Sequence, residues 1–150
     1  MNEQLIRMIE QVKNELARNP NAILFGDVHD GNKKITPTDV CNHAYFEFLK
    51  QVDGGRFGII DFWSFNDLPN HQFRMNGQIN GTEIGQLLYE PLILENLSGH
   101  VLYSRHDGVQ DLGSFNDFLS TFVFGVRYAE LAPEPHVDEW FQFLKRIAFI

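Results

Sequence analysis

Residues 91–105, PLILENLSGHVLYSR, decide the fold class of this chain. Two largely apolar runs flank a short polar segment that ends in glycine, which predicts a β-hairpin around residues 96–99. Alternation along both strands places four side chains on one face, the predicted core side: Leu92, Leu94, Val101 and Tyr103. The other face is mixed and is expected to be partly exposed; it carries Ile93, Glu95, His100, Leu102 and Ser104.

Upstream of the hairpin, residues 56–64 are rich in aromatic and β-branched residues and are predicted to form a strand. Ile60 and Phe62 alternate along it with Asp61 and Trp63, which predicts that the two sets point to opposite faces. Two further segments have less regular patterns. Residues 66–82 are predicted to be a long polar loop, and apolar residues 22–25 an edge strand or packed loop before a turn-like stretch over residues 26–34.

Helices are predicted at both ends of the chain and around the strands. Residues 2–18 and 137–147 carry apolar residues at helical spacing. A second helix is predicted to begin at Thr36 as N-cap, with Pro37 in its first position, and to end at the glycine pair 54–55. Ser114 is predicted to cap a third helix. The pattern therefore predicts one α+β domain over residues 1–150, with a mostly antiparallel, twisted sheet flanked by helices.

The charge balance bears on the kind of partner. The chain has 20 acidic and 12 basic residues, for a formal net charge of −8. Such a protein is not expected to bind nucleic acid directly, because phosphates attract basic surfaces. An acidic surface favours basic partners, although ordinary solubility also explains the charge.

The single cysteine and the N-terminus indicate the compartment. Cys41 has no second cysteine to pair with, so it is predicted to be a small core residue in a reducing environment. The polar N-terminus is not typical of a signal peptide, and no apolar run approaches the roughly 18 residues of a membrane span. The sequence therefore predicts a cytoplasmic protein that does not enter a membrane.

The tripeptide His-Asp-Gly occurs twice, at residues 29–31 and 106–108. Two such motifs brought together could bind a metal ion or exchange protons, so a metal-dependent hydrolase using His29 and His106 is one alternative. The stretch GDVH at residues 26–29 also looks like one signature of the calcineurin-like metallophosphatases, but the later signatures of that family are missing. Because Asp-Gly commonly forms turns, surface turns are the preferred interpretation, and neither a catalytic residue nor a cofactor is expected.

Three stretches together resemble the SUKH superfamily, which includes bacterial toxin-immunity proteins and relatives of a yeast cell-wall assembly regulator. They are YFEFLKQVDGGRFG at residues 45–58, LILENLSGHVLY at 92–103 and SFNDFL at 114–119. The resemblance covers roughly residues 35–124 in the family's order, whereas residues 66–89 do not align. It implies a SUKH-like fold and, in bacterial members, a protein that binds and neutralises a toxin domain, often a basic nuclease.

The resemblance carries no site residues with it, so contact residues are predicted from chemistry alone. Trp63 is expected to be the buried aromatic anchor, and the acidic groups are expected to pair with Lys or Arg residues of the partner. The predicted contact residues are Asp61, Trp63, Asp67, Glu95, His100 and Asp107. The alternative in the same class is a regulatory or scaffold module. Either would act as a monomer or homodimer.

Overall fold

The computed structural model describes residues 1–40, 42–75, 77 and 79–150. Within them the chain forms one open antiparallel sheet whose seven strands pair in sequence order, with helices at both ends. The expected α+β class is confirmed. The strands are β1 (Gly26–Val28), β2 (Gly55–Phe57), β3 (Ile60–Phe62), β4 (Gly81–Leu87), β5 (Glu90–Glu95), β6 (His100–Arg105) and β7 (Gly108–Ser114). The helices are α1 (Glu3–Arg18), α2 (His43–Gln51), α3 (Phe115–Asp117, continued as a π-helix over Phe118–Val123), α4 (Tyr128–Leu131) and α5 (Glu139–Arg146), with a 3₁₀ segment (Phe65–Arg74) between β3 and β4.

The core lies between the helices and one face of the sheet. Ring centroids of Phe48 on α2 and Phe62 on β3 are 5.0 Å apart, and those of Phe57 on β2 and Trp140 on α5 are 5.4 Å apart. The first pair is tilted and the second is edge to face, and such ring contacts stabilise the core beyond the apolar area that the rings bury. The predicted core face of the β5–β6 hairpin is confirmed, because all four of its residues are buried; on the mixed face Ile93 is buried too.

The strand predicted over residues 56–64 is wrong in its extent, because β2 and β3 form a separate hairpin there. Gly58 turns the chain with φ of 66°, a conformation that glycine adopts readily. Tyr128 Oη lies so close that a Cβ at Gly58 would be 2.0 Å from it. The predicted alternation still holds, since Ile60 and Phe62 are buried whereas Asp61 is partly exposed.

The predicted start of the second helix is also wrong. Helix α2 begins at His43, and Asn42 caps it by accepting a hydrogen bond from Tyr45 N at 3.0 Å. Thr36 instead belongs to a turn in which Asp39 Oδ2 accepts from Thr36 N at 2.7 Å and from Thr36 Oγ1 at 2.9 Å. Such local side-chain bonds compete with helix formation. The prediction for Cys41 lies outside the described residues.

Two further predictions concern residues 22–25 and 66–82. Residues 22–25, predicted to be an edge strand or a packed loop, are not part of a strand. The edge strand β1 follows them directly, within the stretch expected to form turns. The stretch predicted as a loop over residues 66–82 holds most of the 3₁₀ segment and the start of β4. Gln72 fastens the segment to the sheet: its Nε2 donates to Glu83 O at 2.9 Å and its Oε1 accepts from Glu83 N at 3.0 Å.

The remaining helix predictions hold within a residue or two. Helix α1 spans nearly the predicted range, and α5 begins two residues later than predicted, behind its N-cap Asp138. At the start of α3, Ser114 Oγ accepts from Asp117 N at 3.3 Å and donates to Asp117 Oδ2 at 2.6 Å. The predicted cap is therefore present. The short helix α4 has no counterpart among the predictions.

Candidate protein-binding site

An open groove of about 420 Å³ lies where β1, β2 and β3 meet the start of the 3₁₀ segment. Its lining includes the carboxylates of Asp27, Asp61 and Asp67 and the indole of Trp63. We call these four residues and the space between them the acidic groove. It contains three of the six predicted contact residues, since Asp61, Trp63 and Asp67 follow one another closely along the chain.

Asp61 forms the fixed floor of the acidic groove. It lies opposite Arg56 in the β2–β3 ladder, where Arg56 Nε donates to Asp61 Oδ1 at 2.6 Å and Gln86 Nε2 donates to Oδ2 at 2.9 Å. Opposite charges at directly paired positions stabilise a ladder. This hydrogen bond raises the pKa of Arg56 above its usual value. Because the Asp61 side chain is only 16% exposed and already has an internal cation, it has little capacity left for a partner's charge.

Trp63 is held in place rather than freely presented. Its ring stacks on that of His71 in the 3₁₀ segment, with centroids 3.8 Å apart and planes 7° from parallel. Its Nε1 donates a long hydrogen bond, 3.4 Å, to Glu83 Oε1. The side chain is half-buried. Trp63 can therefore offer a partner one pre-positioned edge at low entropic cost.

Asp27 and Asp67 are the exposed charges of the acidic groove. Asp27 Oδ2 lies 3.1 Å from His29 Nε2, and Asp67 Oδ2 accepts from Ser64 Oγ at 2.5 Å at the start of the 3₁₀ segment. Neither carboxylate contacts a Lys or Arg of the described chain. Both carboxylates are consequently accessible to the Lys or Arg side chains of a partner. Asp27 was not among the predicted residues, because nothing in the sequence placed β1 beside Trp63.

The other three predicted contact residues lie outside the acidic groove, in the hairpins of β5, β6 and β7. The Glu95 carboxylate accepts from Ser98 Oγ at 2.6 Å and from Ser98 N at 2.7 Å, which lowers its pKa. His100 Nδ1 lies 2.8 Å from Asp111 Oδ2. Asp107 pairs with Arg105 in the β6–β7 turn. Each of these groups stabilises its own hairpin, and their role in binding stays a prediction.

The Asp107 carboxylate gives a direct test of the hairpin geometry. Its hydrogen bond from Arg105 lowers its pKa to about 2, so this group adds stability above its ordinary pKa, near 4, and loses that contribution as pH falls from about 4 to about 2. In Arg105→Met the pKa should return towards the ordinary value. Side-chain ¹³C NMR titration measures it, and an unchanged Asp107 titration would contradict the pairing. Arg7→Met, on α1, is the control.

A second cavity, of about 270 Å³, adjoins the acidic groove and shares Arg56, Asp61 and Gln86 with it. Five mainly apolar residues in its lining define what we call the apolar pocket: Phe25, Ile59, Leu88, Tyr89 and Trp140. The sequence does not indicate this site. Two of these residues, Leu88 and Tyr89, form the turn between β4 and β5. This turn contains neither glycine nor asparagine, so the usual turn signals are lacking.

The two His-Asp-Gly motifs do not meet. His29 follows β1 and His106 lies in the β6–β7 turn, and four strands of the sheet separate β1 from β6. His29 contacts Asp53 O at 3.2 Å through Nδ1 and Asp27 through Nε2. Among residues 1–40, 42–75, 77 and 79–150, no group of three or more potential metal ligands converges. The motif at residues 106–108 forms the turn that Asp-Gly predicts.

Comparisons with known proteins leave the family open. No protein-family model matches this sequence, and no curated protein is similar enough to count as a relative. In the part of the chain that the structure describes, none of the helices has the length and apolar character needed to cross a membrane.

Proposed function

We propose that this protein binds a basic domain of another protein through the acidic groove and blocks it, as an immunity protein blocks a toxin. The observation that carries the proposal is that two exposed carboxylates, Asp27 and Asp67, line the same groove as a pre-positioned Trp63. Tryptophan is enriched among the few residues that supply most of the affinity of a protein interface, and the two carboxylates beside it in the groove have no Lys or Arg partner in the described chain.

Electrostatics favours a basic partner. The chain carries a net charge of −8, and the acidic groove has three carboxylates against the single guanidinium of Arg56. Such a field accelerates encounter with a cationic surface and rejects acidic ones. Nuclease toxins hold phosphates with basic residues, so they match this surface. The resemblance to the SUKH superfamily points to the same class of partner.

The test begins with capture of partners from the native cell lysate on the immobilised protein, followed by titration of the purified partner. The double variant Asp27→Asn/Asp67→Asn removes two charges without changing side-chain shape. It should raise Kd about tenfold or more, since a close charge pair across an interface contributes about 1.5 kcal/mol or more. Added salt should weaken wild-type binding.

The matched control is Glu3→Gln/Glu10→Gln, which makes the same charge change at two exposed positions of α1 outside the acidic groove. If the two double variants raised Kd equally, the net charge of the protein, and not the acidic groove, would account for binding. Neutralisation is then measured in cells: a captured toxin should arrest growth, and co-expression of this protein should restore it. Capture of a harmless protein that retains its activity in the complex would indicate a regulatory module instead.

A further inference from the structure

The apolar pocket is lined by large side chains that folding leaves in solvent. Tyr89 is 82% exposed, Phe25 is 49% exposed and Leu88 is 38% exposed. They surround one cavity whose floor includes the buried Trp140. Single exposed apolar residues are ordinary on protein surfaces, whereas a group around a cavity marks an interaction site.

The turn that presents Leu88 and Tyr89 is strained. These two residues alone connect β4 to β5, and both have positive φ, 48° and 72°. A two-residue turn of this kind favours Asn-Gly, because a bulky side chain pays a steric penalty at positive φ. Tyr89 in particular remains 82% exposed, so burial of its side chain does not offset the penalty.

The surrounding structure holds the turn rigidly. Arg74 Nη1 donates to Tyr89 O at 2.6 Å, and Leu88 N donates to Ile59 O at 3.2 Å. Phe25 is fixed from the other side, because its carbonyl accepts from Gly58 N at 2.7 Å. A strained, exposed and well-braced turn is a pattern associated with ligand contact, and the pre-set geometry lowers the entropic cost of binding.

We infer that the apolar pocket receives one apolar side chain of the partner, next to a Lys or Arg of that partner that faces the acidic groove. This deepens the proposed function and rests on it. The cavity of about 270 Å³ lies below the roughly 300–1,000 Å³ of small-molecule sites, which favours a single side chain. Asp138 and Glu139 also line it, and these carboxylates favour a cationic neighbour.

A second copy of this chain is a poorer occupant on electrostatic grounds. A two-fold contact places the same surface on both sides. It would bring Asp138 and Glu139 of one copy towards those of the other, on a chain of net charge −8. Like charges brought together across an interface are unfavourable. A basic partner meets none of this repulsion.

The first test uses a defined probe and does not depend on partner capture. The blocked tripeptides Lys-Phe-Lys and Lys-Ser-Lys are titrated into ¹⁵N-labelled protein. Lys-Phe-Lys should shift the amides of Phe25, Leu88 and Tyr89, and Lys-Ser-Lys should leave them in place. Equal shifts from both peptides, or none at these amides, would overturn the inference. Shifts confined to Asp27 and Asp67 with both peptides would overturn it while leaving the proposed function standing.

The second test replaces the turn by Leu88→Asn/Tyr89→Gly, which removes both side chains and supplies the residues that this backbone prefers. Tm should stay the same or rise, whereas Kd for the captured partner should increase roughly 30-fold, as expected for loss of an interface anchor. Leu97→Ser, in the tip of the β5–β6 hairpin and also exposed, is the control. Unchanged affinity in the turn variant, or a wild-type dimer that this variant converts to monomer in light scattering, would overturn the inference.

Discussion

Arg74→Ala is expected to lower the free energy of unfolding by about 3–5 kcal/mol, because it leaves a buried carboxylate without its counter-ion. Glu83 on β4 is fully buried. Arg74 Nε donates to Glu83 Oε2 at 3.2 Å, and Arg74 Nη2 pairs with Oε1. The only other side-chain donor to this carboxylate in the described chain is Trp63, at 3.4 Å. Urea unfolding followed by circular dichroism measures the loss.

The apolar double variant Arg74→Met/Glu83→Leu separates the cost of an unpaired charge from the worth of the ion pair. It should be far less destabilised than Arg74→Ala, because apolar residues of similar volume often replace a buried pair at little cost. Arg7→Ala breaks an exposed i,i+4 pair with Glu3 and should cost at most about 0.5 kcal/mol. Equal losses in Arg74→Ala and Arg7→Ala would contradict the burial of Glu83.

This ion pair also links the fold to the proposed site. Arg74 ends the 3₁₀ segment and contacts both the buried Glu83 and the carbonyl of Tyr89. Trp63 shares Glu83 with it. Loss of Arg74 should therefore loosen the apolar pocket and the acidic groove together, and partner binding should weaken more than in Leu97→Ser.

The sequence predicts well those parts of the fold in which a hydrophobic pattern repeats over many residues or in which a few neighbouring residues form a recognisable cap. Helix α1 repeats its apolar residues over four turns, and the β5–β6 hairpin alternates over twelve residues. Ser114 lies three residues before Asp117, so the cap is readable locally. Such patterns bury a whole face and leave few competing arrangements.

The parts that the sequence misses are decided by contacts between distant residues. Strands β1, β2 and β3 have three residues each, too few to show a period. The local sequence around Gly58 predicts a strand. The need for glycine at this turn becomes apparent only from its contact with Tyr128, which lies seventy residues later in the chain. The Thr36–Asp39 turn carries the residues of a helix start, and only the competing hydrogen bonds tell the two apart.

In the candidate site, too, some residues could be predicted from local sequence and others depend on contacts between distant strands. Asp61, Trp63 and Asp67 are near neighbours in sequence, and alternation alone separates them from the core. Asp27 and Phe25 enter the site because β1 pairs with β2, and Tyr89 because β4 pairs with β3. The predicted Glu95, His100 and Asp107 lie on later hairpins, since polarity along a strand does not show which hairpins converge.

Trp140→Ala is expected to lower the free energy of unfolding by about 3–5 kcal/mol, as removal of a large buried side chain typically does. Trp140 is fully buried and packs edge to face on Phe57 and beside Phe143, with centroids 5.4 and 5.2 Å apart. Its Nε1 donates to Val123 O at 2.8 Å. The alanine variant leaves both a cavity and an unsatisfied carbonyl, and chemical unfolding measures the sum.

Trp140→Phe distinguishes these two terms, because it keeps most of the ring contacts but loses the donor to Val123. It should cost about 1–3 kcal/mol for the unpaired carbonyl plus a smaller packing loss. Lys145→Ala, on the exposed side of α5, should change stability by no more than about 0.5 kcal/mol. Trp140 also lies in the floor of the apolar pocket. If Trp140→Ala were as stable as Lys145→Ala, the packing of α5 on the sheet described above would be wrong. The placement of Trp140 in the lining of the apolar pocket would then be wrong as well.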